Sequence, residues 1–269
     1  MTDCMFGALA MMLPDKVFAA GDGCNTGITI GGYHADRSPF IYVDFTCGAW
    51  GARPWADGLD GNSHMFANMA SHSLEVTAAE QPIQLLAHEF APDRAGAGKY
   101  RGGVPFRRDY RFLEEEGVLQ VRSDRRTHRP FGLYGGSPGQ PSENRLDPGG
   151  TNEMLPSKFT MTVRRDQVLR HVLAGGSGWG DPLARDPAAV LRNGLLSPAK
   201  ALADYGVVLD AAGRAVGAGV PDRVQPIRSE DAARTSPLPA RGRSSSRNTT
   251  RPASFRQAGR QAWTARGTC

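Results

Sequence analysis

The residues from Ala174 to Leu209 constrain this chain more than any other stretch of it. A glycine cluster, Gly175-Gly176-Ser177-Gly178-Trp179-Gly180, leads into Asp181-Pro182-Leu183 and Arg185-Asp186-Pro187. The stretch ends on Asp204-Tyr205-Gly206-Val207-Val208-Leu209. Its punctuation predicts two short helices. Asp186 is a good N-cap with Pro187 at the first helical position, Ser197-Pro198 repeats the arrangement, and Gly206 stands where a C-terminal cap belongs. From about Ala211 the sequence turns to Ala, Arg, Ser, Pro and Gly, including Arg241-Gly242-Arg243-Ser244-Ser245-Ser246-Arg247. Too few apolar residues remain to offset the entropy of ordering, so a disordered tail is expected over 211–269 beside a folded region over 1–210.

The same junction decides how to read the charge. The chain has 269 residues and a formal net charge of +5. The tail holds eleven arginines, no lysine and three acids, which leaves residues 1–210 at −3. The basic character belongs to the tail. It could touch phosphate backbones non-specifically, but no nucleic-acid-binding motif accompanies it. No apolar run approaches the roughly 18–20 residues of a membrane span. The start, Met1-Thr2-Asp3-Cys4, lacks a basic leader, and Pro14-Asp15-Lys16 interrupts the apolar stretch that follows. A cytoplasmic location is therefore expected, with Cys4, Cys24, Cys47 and Cys269 as free thiols.

Apolar spacing predicts a helix over 1–13, stopped by Pro14. Gly21 to Gly27 reads as a loop. Residues 39–47 and 83–90 read as strands. Two hairpins are expected: Arg107–Leu113 with Val118–Arg122 across a Glu-Glu-Glu-Gly turn, and Lys158–Val163 with Val168–Leu173 across Arg165-Asp166-Gln167. Pro130 to Leu155, loaded with Gly and Pro, reads as an extended connection. The fold class is thus α+β: β-rich mixed sheets and hairpins, with a few short helices and the disordered C-terminal tail.

Several catalytic patterns fail on their own context. Gly135-Gly136-Ser137-Pro138-Gly139 fits Gly-x-Ser-x-Gly, but a nucleophile elbow needs a following helix, and Pro138, Gly139 and Pro141 exclude one. His88-Glu89 lacks the second histidine of a zinc-protease helix, since Pro92 occupies that place. Gly96-Ala97-Gly98-Lys99 is followed by Tyr100 where a phosphate loop needs Ser or Thr. Asn248-Thr249-Thr250 would accept a glycan only in a secreted protein.

Arg53-Pro54-Trp55-Ala56-Asp57-Gly58-Leu59-Asp60-Gly61 is more informative. It sets two carboxylates three apart on a tight loop. Such a pair can bind a hard cation, polarise a water or accept hydrogen bonds from a substrate N–H. Asp-Gly pairs also simply make turns. His64, Asn68, His72 and Glu75 follow closely. The basic, glycine-rich stretch Asp93 to Gly103, with Lys99 and Arg101, is either an anion cradle or a connection between strands.

In this order the segments resemble the hydantoinase B/oxoprolinase family, whose relatives include acetone and acetophenone carboxylase subunits. The resemblance covers residues 2–210. It rests on Gly51-Ala52-Arg53-Pro54, Asp57-Gly58-x-Asp60-Gly61, Asn68 with Glu75, Gly96-Ala97-Gly98-Lys99-Tyr100-Arg101-Gly102-Gly103, Gly132-Leu133-x-Gly135-Gly136, Gly175-Gly176-x-Gly178-x-Gly180-Asp181-Pro182 and Tyr205-Gly206-Val207. The chain departs from the family pattern at Arg94-Ala95, at Met69 to Leu74 and at Ser177-Gly178-Trp179. Members are longer, and Met1 aligns inside them, so an N-terminal half is expected to be absent. The tail has no family counterpart, and its composition suits translation in a shifted frame.

The resemblance implies part of a B-type subunit of an ATP-dependent hydrolase that opens a hydantoin or 5-oxoproline ring. ATP and magnesium would be handled by a partner A-type subunit, and a divalent metal would belong to the absent N-terminal half. It implies Asp57, Asp60 and His72 as catalytic residues and Arg53, Asn68 and Arg101 as substrate-binding ones. No metal ligand is assigned in this chain. The alternatives are an ATP-dependent ketone carboxylase subunit and an inactive fragment.

Overall fold

The computed structural model describes residues 1–226, apart from 24, 192–193, 211–213 and 221–222. Helix α1 (Thr2–Ala10) opens the chain and stops short of the expected span, with residues 11–12 in a turn. Strands β1 (Thr26–Tyr33) and β2 (Pro39–Thr46) follow, then α2 (Leu74–Glu80), β3 (Ile83–Phe90), β4 (Phe106–Phe112) and β5 (Glu116–Arg122). Next come β6 (Glu143–Leu146), β7 (Glu153–Leu155), β8 (Lys158–Arg164) and β9 (Val168–Val172). A 3₁₀ turn (Pro182–Ala184), α3 (Pro187–Leu191), α4 (Pro198–Tyr205) and strands β10 (Val207–Leu209), β11 (Ala215–Val220) and β12 (Arg223–Pro226) complete the series.

The strands make an antiparallel sheet in the order β2-β1-β5-β8, another in the order β3-β4-β9-β6-β7, and a small one, β10-β11-β12. Alternate residues of the two larger sheets point inward, as the two-residue period of a strand requires. Ile28, Ile30, Tyr42, Leu119, Val121 and Val163 come from one sheet. Ile83, Tyr110, Phe112, Leu146, Leu155 and Leu169 come from the other, and together they form one core. The expected β-rich α+β class is what forms.

Neither expected hairpin forms. β4 pairs with β3 and β9, whereas β5 pairs with β1 and β8. β8 and β9 likewise lie in different sheets. The chain crosses the core at Leu113–Glu115 and again at Arg165–Gln167. The two corners hold each other: the Asp166 amide donates to the Phe112 carbonyl at 2.9 Å and the Phe112 amide to the Gln167 carbonyl at 3.1 Å. Alternation shows which residues face a core but not from which side, so a polar corner reads like a hairpin turn. The stretch 130–155, expected as a bare connection, supplies β6 and β7. Paired backbone also runs past residue 210 through β11 and β12. The disorder expected further along falls outside the described residues.

The two predicted helix starts are present. Asp186 accepts from the Ala188 amide at 2.9 Å, Ser197 caps α4 through the Lys200 amide, and Gly206 closes α4 in the left-handed conformation at φ 65°.

Off the end of the five-stranded sheet lies a layer with no regular strands. It gathers residues 48–53, 94–104, 132–140 and 174–180, which hydrogen-bond through their main chains. The Gly176 amide donates to Gly103, Gly103 to Trp50, Gly96 to Gly176, Ser137 to Ala97 and Gly178 to Ser137, all at 2.7–3.0 Å. Glycine is needed because the backbones nearly touch. A Cβ on Gly102 would lie 1.8 Å from the Gly176 carbonyl oxygen, and one on Gly178 1.8 Å from that of Ala97.

Candidate functional site

The Asp57–Gly61 loop lies along residues 101–104, and its three-residue spacing has a mechanical reason. The Gly58 amide donates to the Arg101 carbonyl at 2.7 Å and the Gly61 amide to the Val104 carbonyl at 2.9 Å. The return bonds come from side chains. Asp57 Oδ1 accepts from the Arg101 amide at 2.9 Å, and Asp60 Oδ1 from the Val104 amide at 2.7 Å. The two carboxylates thus stand in for main-chain acceptors three residues apart.

Each carboxylate also meets a guanidinium in a two-pronged pair. Arg101 holds Asp60 through Nη1 at 2.7 Å and Nη2 at 2.9 Å. Arg185 holds Asp57 through Nη1 at 2.6 Å and Nη2 at 2.8 Å, and its remaining Nη donors reach the Lys99 and Ala189 carbonyls. Arg53 braces the loop from outside, giving Nε and Nη2 to the Asp57 carbonyl at 3.1 and 2.6 Å. Burial pushes the Asp57 carboxyl up, but the Arg185 guanidinium and the Arg101 amide outweigh it and hold it below the usual carboxylate range. Behind the clamp the Tyr205 ring lies 6.0 Å from Arg185 Cζ, and burial pushes the Tyr205 phenol up to about 12. Arg101, Arg185 and Tyr205 there help line a cavity of about 20 Å³, room for one water.

In front lies an open cleft of about 620 Å³, lined by Arg53, Asp57, Lys99, Tyr100, Arg185 and Asp186 among others. Of the expected site residues, Arg53 and Asp57 line it. Asp60 and Arg101 sit behind them, spent on each other, with the Arg101 side chain only 13% exposed. His72 and Asn68 lie elsewhere. His72 is exposed and its ring packs edge-on to Tyr42, 6.3 Å away, while Asn68 is exposed in a left-handed turn at φ 46°. Among the described residues neither hydrogen-bonds to the clamp.

The carboxylate pair does not fit a hard cation, because a metal would have to displace both guanidiniums. Among the described residues no group of three His, Cys, Asp or Glu side chains is arranged to hold a metal ion. Most of the backbone amides of the stretch 96–103 are already engaged. The amides of Gly96, Lys99, Tyr100, Gly102 and Gly103 all donate to main-chain carbonyls.

Nothing local in the sequence marks Arg185 as a site residue beyond its place next to the Asp186 helix cap. A second such group sits between the sheets. Arg108, 1% exposed, donates to Asp44 at 2.5 Å and to His88 at 2.8 Å, and Tyr110 also donates to Asp44 at 2.8 Å. His88, Arg108, His171 and Asn144 are register partners across β3, β4, β9 and β6. Burial, then the Arg108 charge, lowers His171 to about 3, so it stays neutral and shares a 2.6 Å hydrogen bond with Asn144.

The model of the hydantoinase B/oxoprolinase family matches residues 1–182. The chain belongs to that family. It is 29% identical over 213 residues to a putative D-/L-hydantoinase B-type subunit of Pseudomonas sp. (strain NS671), a match covering 77% of this chain and 36% of that protein. The ATP-dependent caprolactamase structure from Pseudomonas jessenii matches with TM-score 0.64 and 24% identity, covering 77% of this chain and 38% of that one. A nucleotide-free acetone carboxylase structure matches with TM-score 0.59 and 18% identity, covering 85% and 34%. At these identities both structures speak for the fold alone. These relatives extend well beyond the part this chain spans, which is about a third of their length. Among the described residues no helix is long and apolar enough to cross a membrane.

Proposed function

We propose that this chain carries the C-terminal portion of a B-type subunit of an ATP-dependent cyclic-amide hydrolase, with ATP and magnesium handled by an A-type partner. Amide resonance makes the ring carbonyl a poor electrophile. Phosphorylation of its oxygen makes the ring carbon electrophilic; water adds, the ring C–N bond breaks as the nitrogen takes up a proton, and the acyl phosphate so formed loses phosphate to a second water. Asp57 carries the reading. It is held ionised, both oxygens are fixed by Arg185, and 35% of its side chain is exposed at an open cleft. A carboxylate so fixed is a weak base but a well-aimed acceptor for a ring N–H. Asp60 acts at one remove, by fixing Arg101 and the Val104 amide. The reading gives His72 and Asn68 no step.

The test combines the chain with a hydantoinase A-type subunit and follows ADP release and ring opening with hydantoin, 5-oxoproline, caprolactam and acetophenone in parallel. Ring opening coupled to ADP release is expected. Carboxylated acetophenone would replace the reading with the ketone carboxylase one, and no substrate-dependent ADP release would leave a fragment without activity. In an active pairing, Asp57→Asn should lower ring opening by about 10²-fold, the cost of a misplaced reactant.

A further inference from the structure

We propose that the subunit that handles ATP seats on the mouth of the open cleft, with Trp55 and Leu183 as its anchors. The inference rests on the reading of an A-type partner and adds the surface that partner meets. Phosphoryl transfer brings the γ-phosphorus of ATP within bonding distance of the ring carbonyl oxygen as its bond to ADP breaks. Asp57 is backed by Arg185 and by residues 101–104, so a ring held against it is reached from the open side of the cleft. The partner's nucleotide edge therefore has to close over that side.

Two large apolar side chains stand exposed at that mouth. Trp55 is 55% exposed and lies between Arg53 and Ala56, which both line the cleft. Leu183 is 48% exposed and adjoins Ala184, which also lines it. Both are held in place before any partner arrives. The Arg53 amide donates to the Ala56 carbonyl at 2.9 Å, which sets Trp55 at the tip of a two-residue turn, and its ring rests edge-on to Phe18 at 5.9 Å. Leu183 is the middle residue of the 3₁₀ turn, and its amide donates to Asp181 Oδ1 at 2.9 Å. One exposed apolar residue is ordinary. A preset tryptophan and a leucine at one cleft mouth make an interface anchor with little ordering entropy left to lose.

Charge selects the occupant. Arg53 gives Nε and Nη2 to a neutral carbonyl, and Lys99 is exposed. Among the described residues neither has a carboxylate within ion-pair distance. A partner presenting bound ATP at this mouth brings the opposite charge. A second copy of this chain would set the same cations face to face, and like charges across an interface disfavour it.

Interferometry with an immobilised hydantoinase A-type subunit and the full 269-residue chain tests this, with and without a non-hydrolysable ATP analogue. Trp55→Ala and Leu183→Asp should each weaken binding at least about 10-fold, the scale of an interface anchor. Both residues are exposed, and circular dichroism checks that the variants fold. Ile41→Ser, at an exposed apolar position of β2, is the control and should bind like wild type. The ATP analogue should strengthen wild-type binding, and that gain should shrink as salt is raised and disappear in Lys99→Glu. Unchanged affinity in both Trp55→Ala and Leu183→Asp overturns the surface, while turnover of the mixed subunits still decides the hydrolase reading. An equal loss in Ile41→Ser overturns it as well, since any exposed apolar residue would then serve. A gain that survives in Lys99→Glu overturns the charge match. A dimer of the chain alone in sedimentation, dissociated by Trp55→Ala, would assign the mouth to a second copy instead, and no binding of the wild-type chain would overturn the inference outright. Binding that depends on Trp55 and Leu183, with carboxylated acetophenone as the product, would keep the surface and remove the cyclic-amide reading.

Discussion

The core between the two large sheets is filled by side chains, whereas the layer beyond their end is filled by backbone. In the sandwich, Ile28, Leu119, Tyr110 and Leu169 meet from opposite faces, and each occupies volume that a similar side chain could fill. In the layer, Gly102, Gly176 and Gly178 bring carbonyl oxygens to where a Cβ would stand. A side-chain core relaxes around a substitution in graded fashion. A backbone contact has nothing to relax, since the obstructing atom belongs to a main chain held by its own hydrogen bonds. The glycine pattern of this layer is thus a packing code, and the open cleft is mounted on its edge.

The largest effect should follow from adding one methyl group to that layer. Gly102→Ala would press a carbon against the Gly176 carbonyl at 1.8 Å. We expect a loss of more than about 4 kcal/mol, the range reserved for severe lesions. Chemical denaturation followed by circular dichroism would read it. Gly149→Ala, which meets nothing within 4 Å, is the control and should stay within about 0.5 kcal/mol of wild type. A stable Gly102→Ala protein would break the contrast between the two regions.

The sandwich has its own intolerant point. Arg108→Met would leave Asp44, fully buried, without its cationic partner and with the Tyr110 hydroxyl as its remaining donor among the bonds described. Removing one member of a buried pair costs about 3–5 kcal/mol. We expect a loss in that range by urea unfolding, below that of Gly102→Ala. A loss under about 1 kcal/mol would show that the pair is not desolvated as its 0–1% side-chain exposure indicates.

Asp60→Asn should fall lower still. Asn keeps the bond from the Val104 amide but cannot match the Arg101 charge, and the Arg101 side chain is 13% exposed. A loss of about 1–3 kcal/mol is expected, the cost of leaving a buried donor poorly met, measurable as a drop in denaturation midpoint. No change would mean that the 101–104 backbone fixes the loop unaided.

What the sequence revealed follows the same division. β3 was readable over its whole length because no glycine or proline interrupts it. β1 was not, since Gly27, Gly31 and Gly32 dilute the alternation that Ile28 and Ile30 carry. The corner at Leu113–Glu115 looked like a turn because only pairing partners, Val168 for Arg111 in one sheet and Gly31 for Val118 in the other, decide between an arch and a hairpin. At the site, Asp57 and Asp60 stood out as loop acids and Arg101 as part of a basic glycine-rich stretch, but closeness in sequence also drew in His72 and Asn68, which lie away from the clamp. Arg185 was hidden by distance, 128 residues from the carboxylate it holds. Arg108 did leave a signal: in Phe-Arg-Arg-Asp-Tyr-Arg-Phe it takes an inward position in step with Tyr110 and Phe112, where a charge demands a buried partner.

The smallest effect separates the cleft carboxylate from the structural ones through pH. Asp57 titrates below its ordinary value in the folded chain, despite burial, because Arg185 and the Arg101 amide favour the charged form. The unfolded chain takes up that proton first, near the ordinary aspartate value of about 3.9. Between that value and the lower folded one the unfolded state therefore binds more protons, and stability falls as pH falls. The contribution of Asp57 is fully present above about pH 4 and is lost progressively below it. With 35% of the side chain exposed, solvent screening limits it to under about 1 kcal/mol. Asp57→Asn should therefore be mildly destabilised at pH 7, and its deficit against wild type should shrink as both are unfolded by urea at successively lower pH down to about 3. A deficit that stays constant across that range would mean that Arg185 does not hold Asp57 in its charged form, and the aimed acceptor on which the cleft depends would be lost with it.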